Sequence, residues 1–282
     1  MSRVEVARLT GPFGLVTVEV LDVLAQARGR GDRLLARVFT DEALERLEGH
    51  PPVMPLAERL RLVGALRDVA DVEVAADLPT HLATRLVTRL VTDDAPDRPS
   101  DADEAYAWEP GPDAGPAVLL RPRVGGVRLP DASELLAPRS PGRGAGLRTG
   151  YVPGGWDVFH VGHLRILERA RAQCDRLVVG VVTDEGLVAA KGRPPVVPFA
   201  KRAAVVAAFD LVDEVVTDTS SDKRLAWERV GFDVLFKGDD WQGTAKGDRL
   251  EAEMAEVGVE LRYFPYTAHT SSTALRAVLD AR

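Results

Sequence analysis

The chain has 282 residues, 45% of them hydrophobic and 28% charged, enough for about two domains of ~140 residues each. That balance excludes a short disulfide-stapled scaffold and a mostly disordered chain, and the single cysteine, Cys174, forbids an internal disulfide. A formal net charge of -7 argues against general nucleic-acid binding, which needs a broad excess of Lys and Arg, so an anionic substrate has to be met by a local basic site. No stretch approaches the ~18 consecutive apolar residues of a spanning helix, and Met1 to Val6 lacks the apolar core of a signal peptide. The expectation is a cytoplasmic protein without membrane insertion.

From the first residues onward the chain carries a spaced repeat. Asp32-Arg33-Leu34 recurs as Asp175-Arg176-Leu177, Thr40-Asp41-Glu42 as Thr183-Asp184-Glu185, and Pro51-Pro52-Val53 as Pro194-Pro195-Val196. Pro55 and Arg59 recur as Pro198 and Arg202, and every offset is 143. A constant offset predicts two halves with one fold, arisen by duplication. The expected domains are 1–140 and 147–282. Between them, Asp93 to Gly146 is rich in Pro, Gly and Asp and reads as loop or linker, with Val118-Leu119-Leu120 and Ala132 to Leu136 as the last strand and helix of the first copy.

The second copy alternates strand and helix. Arg148 to Val152 is strand-like, and Val161 to Gln173 places Val161, Leu164, Leu167 and Ala170 on one helical face. Arg176 to Val182 is a nearly continuous β-branched run, expected of a strand covered on both faces. Helix is predicted over Phe199 to Phe209, Leu225 to Val230, Leu250 to Val257 and Ser272 to Ala281, and strand over Asp213 to Val216, Val234 to Lys237 and Glu260 to Phe264. The fold class is therefore α/β: two tandem Rossmann-like, doubly wound parallel-sheet domains, with ligands bound beyond the carboxyl ends of the strands.

At such a strand end lies Gly154-Gly155-Trp156-Asp157-Val158-Phe159-His160-Val161-Gly162-His163. The first turn of a helix offers unpaired N–H groups and the positive end of the dipole, which favour phosphate. His160 and His163, three apart, project from one face of that turn, and two donating imidazoles there can stabilise charge developing on a phosphoryl group. A zinc site would want further ligands at ligand spacing; the other histidines are His50, His81 and His269, so no metal ligands are assigned. A redox dinucleotide domain fits poorly, since these glycines do not form Gly-x-Gly-x-x-Gly.

Tyr151 to His163 resembles the signature of the cytidylyltransferase-like nucleotidyltransferases, which include glycerol-3-phosphate, phosphoethanolamine and phosphocholine cytidylyltransferases and sugar-phosphate adenylyltransferases. The resemblance continues through Thr183-Asp184-Glu185, Lys191 in the following loop, Arg202, Phe236-Lys237-Gly238-Asp239-Asp240-Trp241 and Thr270-Ser271-Ser272-Thr273. It implies that His160 and His163 stabilise the transition state at the α-phosphate, and that Lys191, Ser271, Ser272 and Thr273 hold the triphosphate. By the same resemblance Gly154, Gly155, Arg202 and Asp240 contact the nucleotide, Asp157 touches substrate, and Lys223 or Arg224 binds the acceptor phosphate. Arg202 on its own reads equally well as a partner for a carboxylate on its own surface, and Lys223 as a solvated charge.

The implied activity is transfer of CMP from CTP to a small phosphorylated alcohol, with Mg2+ accompanying the triphosphate and pyrophosphate released. Adenylyl transfer from ATP to a sugar phosphate is the alternative, because Lys191-Gly192-Arg193-Pro194-Pro195 resembles that branch; a non-catalytic nucleotide-binding module is the third reading. The sequence departs from the family where its usual Arg is Tyr266, its Gly is His269 and a common threonine is Gly155. In the first copy the offset puts Thr17 and Val20 at the places of His160 and His163, Gly14 at Asp157 and Glu19 at Gly162, so that half is expected to be inactive. Family enzymes are commonly dimers of the single unit. The first half is thus expected to stand in for a second subunit, giving a monomeric pseudo-dimer, or else the chain is a homo-oligomer.

Overall fold

The computed structural model describes residues 5–76, 106–109, 118–120, 123, 126–130, 132–136, 146–265, 272 and 275–277. The chain divides into two compact units, Met1–Arg128 and Leu129–Arg282. In the first, β1 (Val6–Gly11), α1 (Val18–Arg28), β2 (Arg33–Phe39), α2 (Asp41–Glu48), α3 (Leu56–Gly64) and β3 (Asp71–Ala75) are followed by β4 (Tyr106–Glu109) and β5 (Val118–Leu120). The sheet order is β3-β2-β1-β4-β5.

β1 to β3 pair in parallel, whereas β4 runs antiparallel to β1, and β5 antiparallel to β4. The parallel sheet expected of this half therefore ends in an antiparallel edge. Parallel neighbours need a crossover of roughly a dozen residues or more. Only residues 110–117 separate β4 from β5, too few for one. The helix expected at Ala132 to Leu136 is instead a single 3-10 turn, Glu134–Leu136, and it belongs to the second unit, where the Thr217 hydroxyl donates to Ala132 O at 2.8 Å.

The second unit contains β6 (Thr149–Gly154), α4 (Val161–Arg171), β7 (Arg176–Val182), α5 (Asp184–Lys191), α6 (Phe199–Ala207), β8 (Glu214–Asp218), α7 (Arg224–Val230), β9 (Val234–Gly238), α8 (Ala245–Glu256) and β10 (Glu260–Phe264). Its five strands are all parallel in the order β10-β9-β6-β7-β8. All five carboxyl ends thus lie along one edge, and the chain reverses its winding between β6 and β9, where an open α/β sheet leaves a crevice. The four α4 residues expected to face the core, Val161, Leu164, Leu167 and Ala170, are the buried ones. Each fully covered Leu contributes about 1.5–3 kcal/mol of transfer free energy.

Two helices differ from the sequence expectation. Lys191, expected in a loop, is the last residue of α5, which begins where the Thr183 hydroxyl accepts from Gly186 N at 3.1 Å. α8 starts at Ala245 rather than Leu250 because Thr244 supplies a similar cap to Gly247 N. Hydroxyl caps of this kind satisfy orphan N–H groups that apolar periodicity does not register.

The first six elements of the two units, β1 to β3 and β6 to β8 with the helices between them, begin and end 143 residues apart, from Val6–Gly11 against Thr149–Gly154 to Asp71–Ala75 against Glu214–Asp218. The same offset relates their internal struts. Arg59 donates to Pro12 O, Met54 O and Asp41; Arg202 donates to Gly155 O, Val197 O and Asp184.

Candidate active site

The carboxyl edge of the second sheet gathers the residues singled out by sequence. After β6 the backbone turns sharply: Trp156 and Val158 have φ of 56° and 48°, left-handed values uncommon for such bulky residues and costing of order 1–3 kcal/mol each. Packing holds them there. Trp156 Nε1 donates to Gly180 O at 2.9 Å, and the Phe159 ring stacks on Phe209 at 4.4 Å. A Cβ on Gly154 would sit 2.7 Å from the Trp156 ring, so that glycine is required by the turn itself. A Cβ at Gly155 would lie 3.0 Å from the end of the Leu187 side chain, which would have to shift by a few tenths of an ångström.

This turn delivers the chain into α4 with His160 as its N-cap. Nδ1 of His160 accepts from Gly162 N at 3.0 Å, while the Nδ1 of His163 lies 3.4 Å from His160 N and closes a capping box. The two rings stack with centroids 4.0 Å apart. His160 Nε2 meets the Ser272 hydroxyl at 3.2 Å, and that hydroxyl donates to Asp157 O at 2.8 Å. With Nδ1 accepting and Ser272 donating onward, His160 carries its proton on Nε2. Burial lowers its pKa to about 4 and holds His163 well below the ordinary imidazole value, with the charges of His160 and Lys191 adding to the second shift. Both rings are thus neutral near pH 7 and act as donors through Nε2.

Around them stand cations and one carboxylate. Asp157 is buried and accepts from Val196 N at 3.1 Å, from Val197 N at 2.9 Å and from the Arg276 guanidinium. Burial opposes its charge, but these bonds prevail and its carboxyl is held below the usual range. Partial burial lowers the Lys191 pKa; Asp157 raises it, and Arg276, Arg193 and Arg202 lower it further.

Several expected ligands are occupied by the protein. Arg202 is 1% exposed and its guanidinium is spent on Asp184 and three carbonyls, so it positions the Gly155 turn rather than presenting charge to a ligand. Lys223 Nζ is clasped by both oxygens of Asp218 at 2.7 Å and by Ser220 O; Arg224 is paired with Asp222 and Glu256. Asp240 is exposed on the 3-10 turn after β9. Ser272 is placed beside His160, whereas Ser271, Thr273 and Tyr266 lie outside the described residues.

Two charged groups beside the site, and one contact within the core, were missed from sequence. Lys237, the next-to-last residue of β9, donates to Pro153 O at 3.2 Å and lies 4.1 Å over the Trp241 ring; burial brings its pKa down to about 8. Arg276 follows Ser272 by four residues, a spacing that puts both on one helical face and was readable. Tyr151, fully buried, reaches across Gly180 toward Asp218; a Cβ on Gly180 would overlap its hydroxyl, which has no hydrogen-bond partner. No sequence spacing links these three strands, so that contact was invisible beforehand.

A strand-end turn, a helix N-terminus with two imidazoles, and flanking cations thus meet on one α/β domain. Residues 151–278 match the family model described as cytidylyltransferase-like. Among curated relatives, the bifunctional protein HldE of Hyphomonas neptunium is 38% identical over 141 residues, covering 48% of this chain and 28% of the relative. HldE of Halorhodospira halophila is 35% identical over 185 residues, covering 65% and 36% respectively. The ethanolamine-phosphate cytidylyltransferase of Arabidopsis thaliana is 41% identical over 95 residues, covering 32% and 22%. The chain thus spans between a fifth and two fifths of the length of these relatives. Among the described residues no helix is long and apolar enough to cross a membrane.

Proposed function

We propose that the second unit transfers a nucleotidyl group from a nucleoside triphosphate to the phosphate of a small molecule, with CTP as donor and a phosphorylated alcohol as acceptor. The observation that carries this reading is the stacked pair of neutral imidazoles at the α4 N-terminus, beside Lys191, at the carboxyl edge of the sheet. An acceptor phosphate oxygen attacks the α-phosphorus in line and the bond to pyrophosphate breaks. The Nε2–H of His163, that of His160 once it exchanges the Ser272 hydroxyl for the ligand, and the helix N-terminus meet the charge that develops on the α-phosphoryl oxygens, and no covalent enzyme intermediate is required. Neutral donors suit the role because they need not give up a proton.

Mg2+ fits as part of the incoming triphosphate. Among the described residues no group of three or more His, Cys, Asp or Glu could hold a metal ion, and the one buried carboxylate beside the histidines, Asp157, is already bonded to Arg276 and two N–H groups. A magnesium ion would neutralise triphosphate oxygens and assist the departure of pyrophosphate.

The choice of CTP rests on Gly238-Asp239-Asp240-Trp241, which resembles the glycerol-3-phosphate enzymes; Lys191-Gly192-Arg193-Pro194-Pro195 favours the second reading, ATP with a sugar phosphate. The first unit, with Thr17 and Val20 where the histidines stand, is read as a duplicated copy without the chemistry. The test is a pyrophosphate-release screen of the four nucleoside triphosphates with magnesium against glycerol phosphate, phosphoethanolamine, phosphocholine and sugar phosphates. CTP-dependent release with a phosphorylated alcohol is the expected result. Release confined to ATP and a sugar phosphate moves the assignment to the second reading, and nucleotide binding without release makes the unit a non-catalytic module.

A further inference from the structure

Acceptors for the proposed reaction fall into two chemical classes: phosphates of alcohols that carry an ammonium group, and phosphates of uncharged polyhydroxy alcohols or sugars. A protein holds an ammonium group with an aromatic face, an available carboxylate, or both. The carboxyl edge of the second sheet has groups of both kinds, and the protein's own cations already use them. The Trp241 ring packs against the core around Tyr151, Phe232 and Leu235 and carries the Lys237 ammonium 4.1 Å from its centroid. That ammonium is fixed by a second contact, donation to Pro153 O at 3.2 Å, on the strand that leads into the histidine turn. Trp156 and Phe159 are buried within the turn itself.

The carboxylates are similarly committed. Asp157 is bonded to Arg276, and Asp218 holds Lys223 Nζ with both oxygens at 2.7 Å. Asp218 and Asp240 act on Lys237 as counter-charges, while Lys223 and Lys191 oppose its charge. With a pKa of about 8, Lys237 still carries its proton at pH 7. An ammonium-bearing acceptor would add one more cation to Lys191, Lys223 and Lys237 and find the Trp241 ring taken. A hydroxyl-rich acceptor brings only the negative charge of its phosphate, which these lysines favour.

We propose that Lys237 is a specificity-determining residue: its ammonium fills the place over Trp241 that a cationic head group would need, and so restricts the acceptor to phosphates of uncharged polyhydroxy alcohols or sugars. The proposal rests on the nucleotidyl-transfer reading above and narrows its acceptor class, whichever nucleoside triphosphate is the donor.

The test compares kcat/KM for glycerol phosphate, a panel of sugar phosphates, phosphoethanolamine and phosphocholine. It uses the full chain as wild type, Lys237→Met and Lys237→Arg, with the triphosphate that supports turnover. Wild type is expected to prefer its best uncharged acceptor over both ammonium acceptors by about 10-fold or more, because like charges would otherwise be brought together. Lys237→Met keeps an apolar stem against the ring and removes the charge, so the preference should shrink by about 3-fold or more, whereas Lys237→Arg should retain it. The preference is a ratio, so a merely structural loss, which slows every acceptor alike, leaves it where it was. A smaller wild-type preference overturns the proposal whether or not the variants fold, and so does a Lys237→Met ratio that fails to shrink. Turnover with phosphocholine or phosphoethanolamine as the best acceptor sinks this proposal alone and leaves nucleotidyl transfer standing. If no pair of triphosphate and acceptor releases pyrophosphate, the nucleotidyl-transfer reading falls and this proposal with it.

Discussion

Lowering the pH from 7 to 5 should loosen the second unit, and His160 should account for much of the change. Its folded pKa is about 4, against about 6.5 for an unperturbed imidazole. The fold therefore favours the neutral ring, and on acidification the unfolded chain takes up the proton first. The corresponding stabilisation is complete above about pH 6.5 and is lost as the pH falls from there toward 4. At pH 5 the unfolded side chain is almost fully charged and the folded one almost fully neutral, a difference of about 2 kcal/mol relative to pH 7. His163, shifted in the same direction, adds to it. Urea unfolding followed by tryptophan fluorescence suits the measurement, because Trp156, Trp227 and Trp241 belong to the second unit and Trp108 to the first. His160→Asn keeps an N-cap acceptor for Gly162 N and removes the titrating ring. Wild type should lose about 2 kcal/mol more than the variant between the two pH values. Equal losses would refute the assignment of a buried neutral imidazole at the α4 N-terminus, and with it the proton placement on Nε2.

Three further outcomes can be tested by substitution. His163→Ala should lower turnover in the pyrophosphate assay by about 10²- to 10³-fold, the range for one transition-state donor, and cost the second unit about 1 kcal/mol of stability by opening the α4 capping box, with the unit still folded. Its positional counterpart in the first unit is Val20, and the His160 counterpart is Thr17, whose hydroxyl caps α1 at 3.4 Å from Val20 N. Thr17→Ala should cost the first unit about 1 kcal/mol of stability without affecting turnover; a comparable loss of turnover would show that the first unit carries chemistry. Gly180→Ala should destabilise the second unit by about 1–3 kcal/mol through overlap with the Tyr151 hydroxyl. Tyr151→Phe removes that unpartnered hydroxyl and should restore a large part of the loss in the double variant. Additive effects in the denaturation midpoints would show that the two residues do not meet.

Much of the fold was legible because its signals are local. β7 and β10 occur at the residues expected from their apolar runs, and α4 buries the four residues its periodicity singled out. The errors arose where apolar periodicity carries no signal. β4 and β5 form an antiparallel edge because of the length of the segment joining them, and α5 and α8 start at hydroxyl caps. In the site, the histidine pair was readable because both rings sit on one turn. Arg202 looked like a ligand until its four acceptors, brought from Gly155, Val182, Asp184 and Val197, were seen around it.

By itself the sequence determined the α/β pattern, the 143-residue spacing, the strand-to-helix turn and the pair of histidines on it. Each depends on residues within a few positions of one another, or on direct comparison of two stretches of chain. Only the tertiary structure decided which charges remain available to a ligand. Lys223 is committed to Asp218, Arg202 to Asp184, and Arg276 is brought beside Asp157 across 119 residues of chain. The physical reason is that a charge's role follows from what surrounds it once water is removed. Those surroundings are assembled from five strand ends that meet only in the folded sheet.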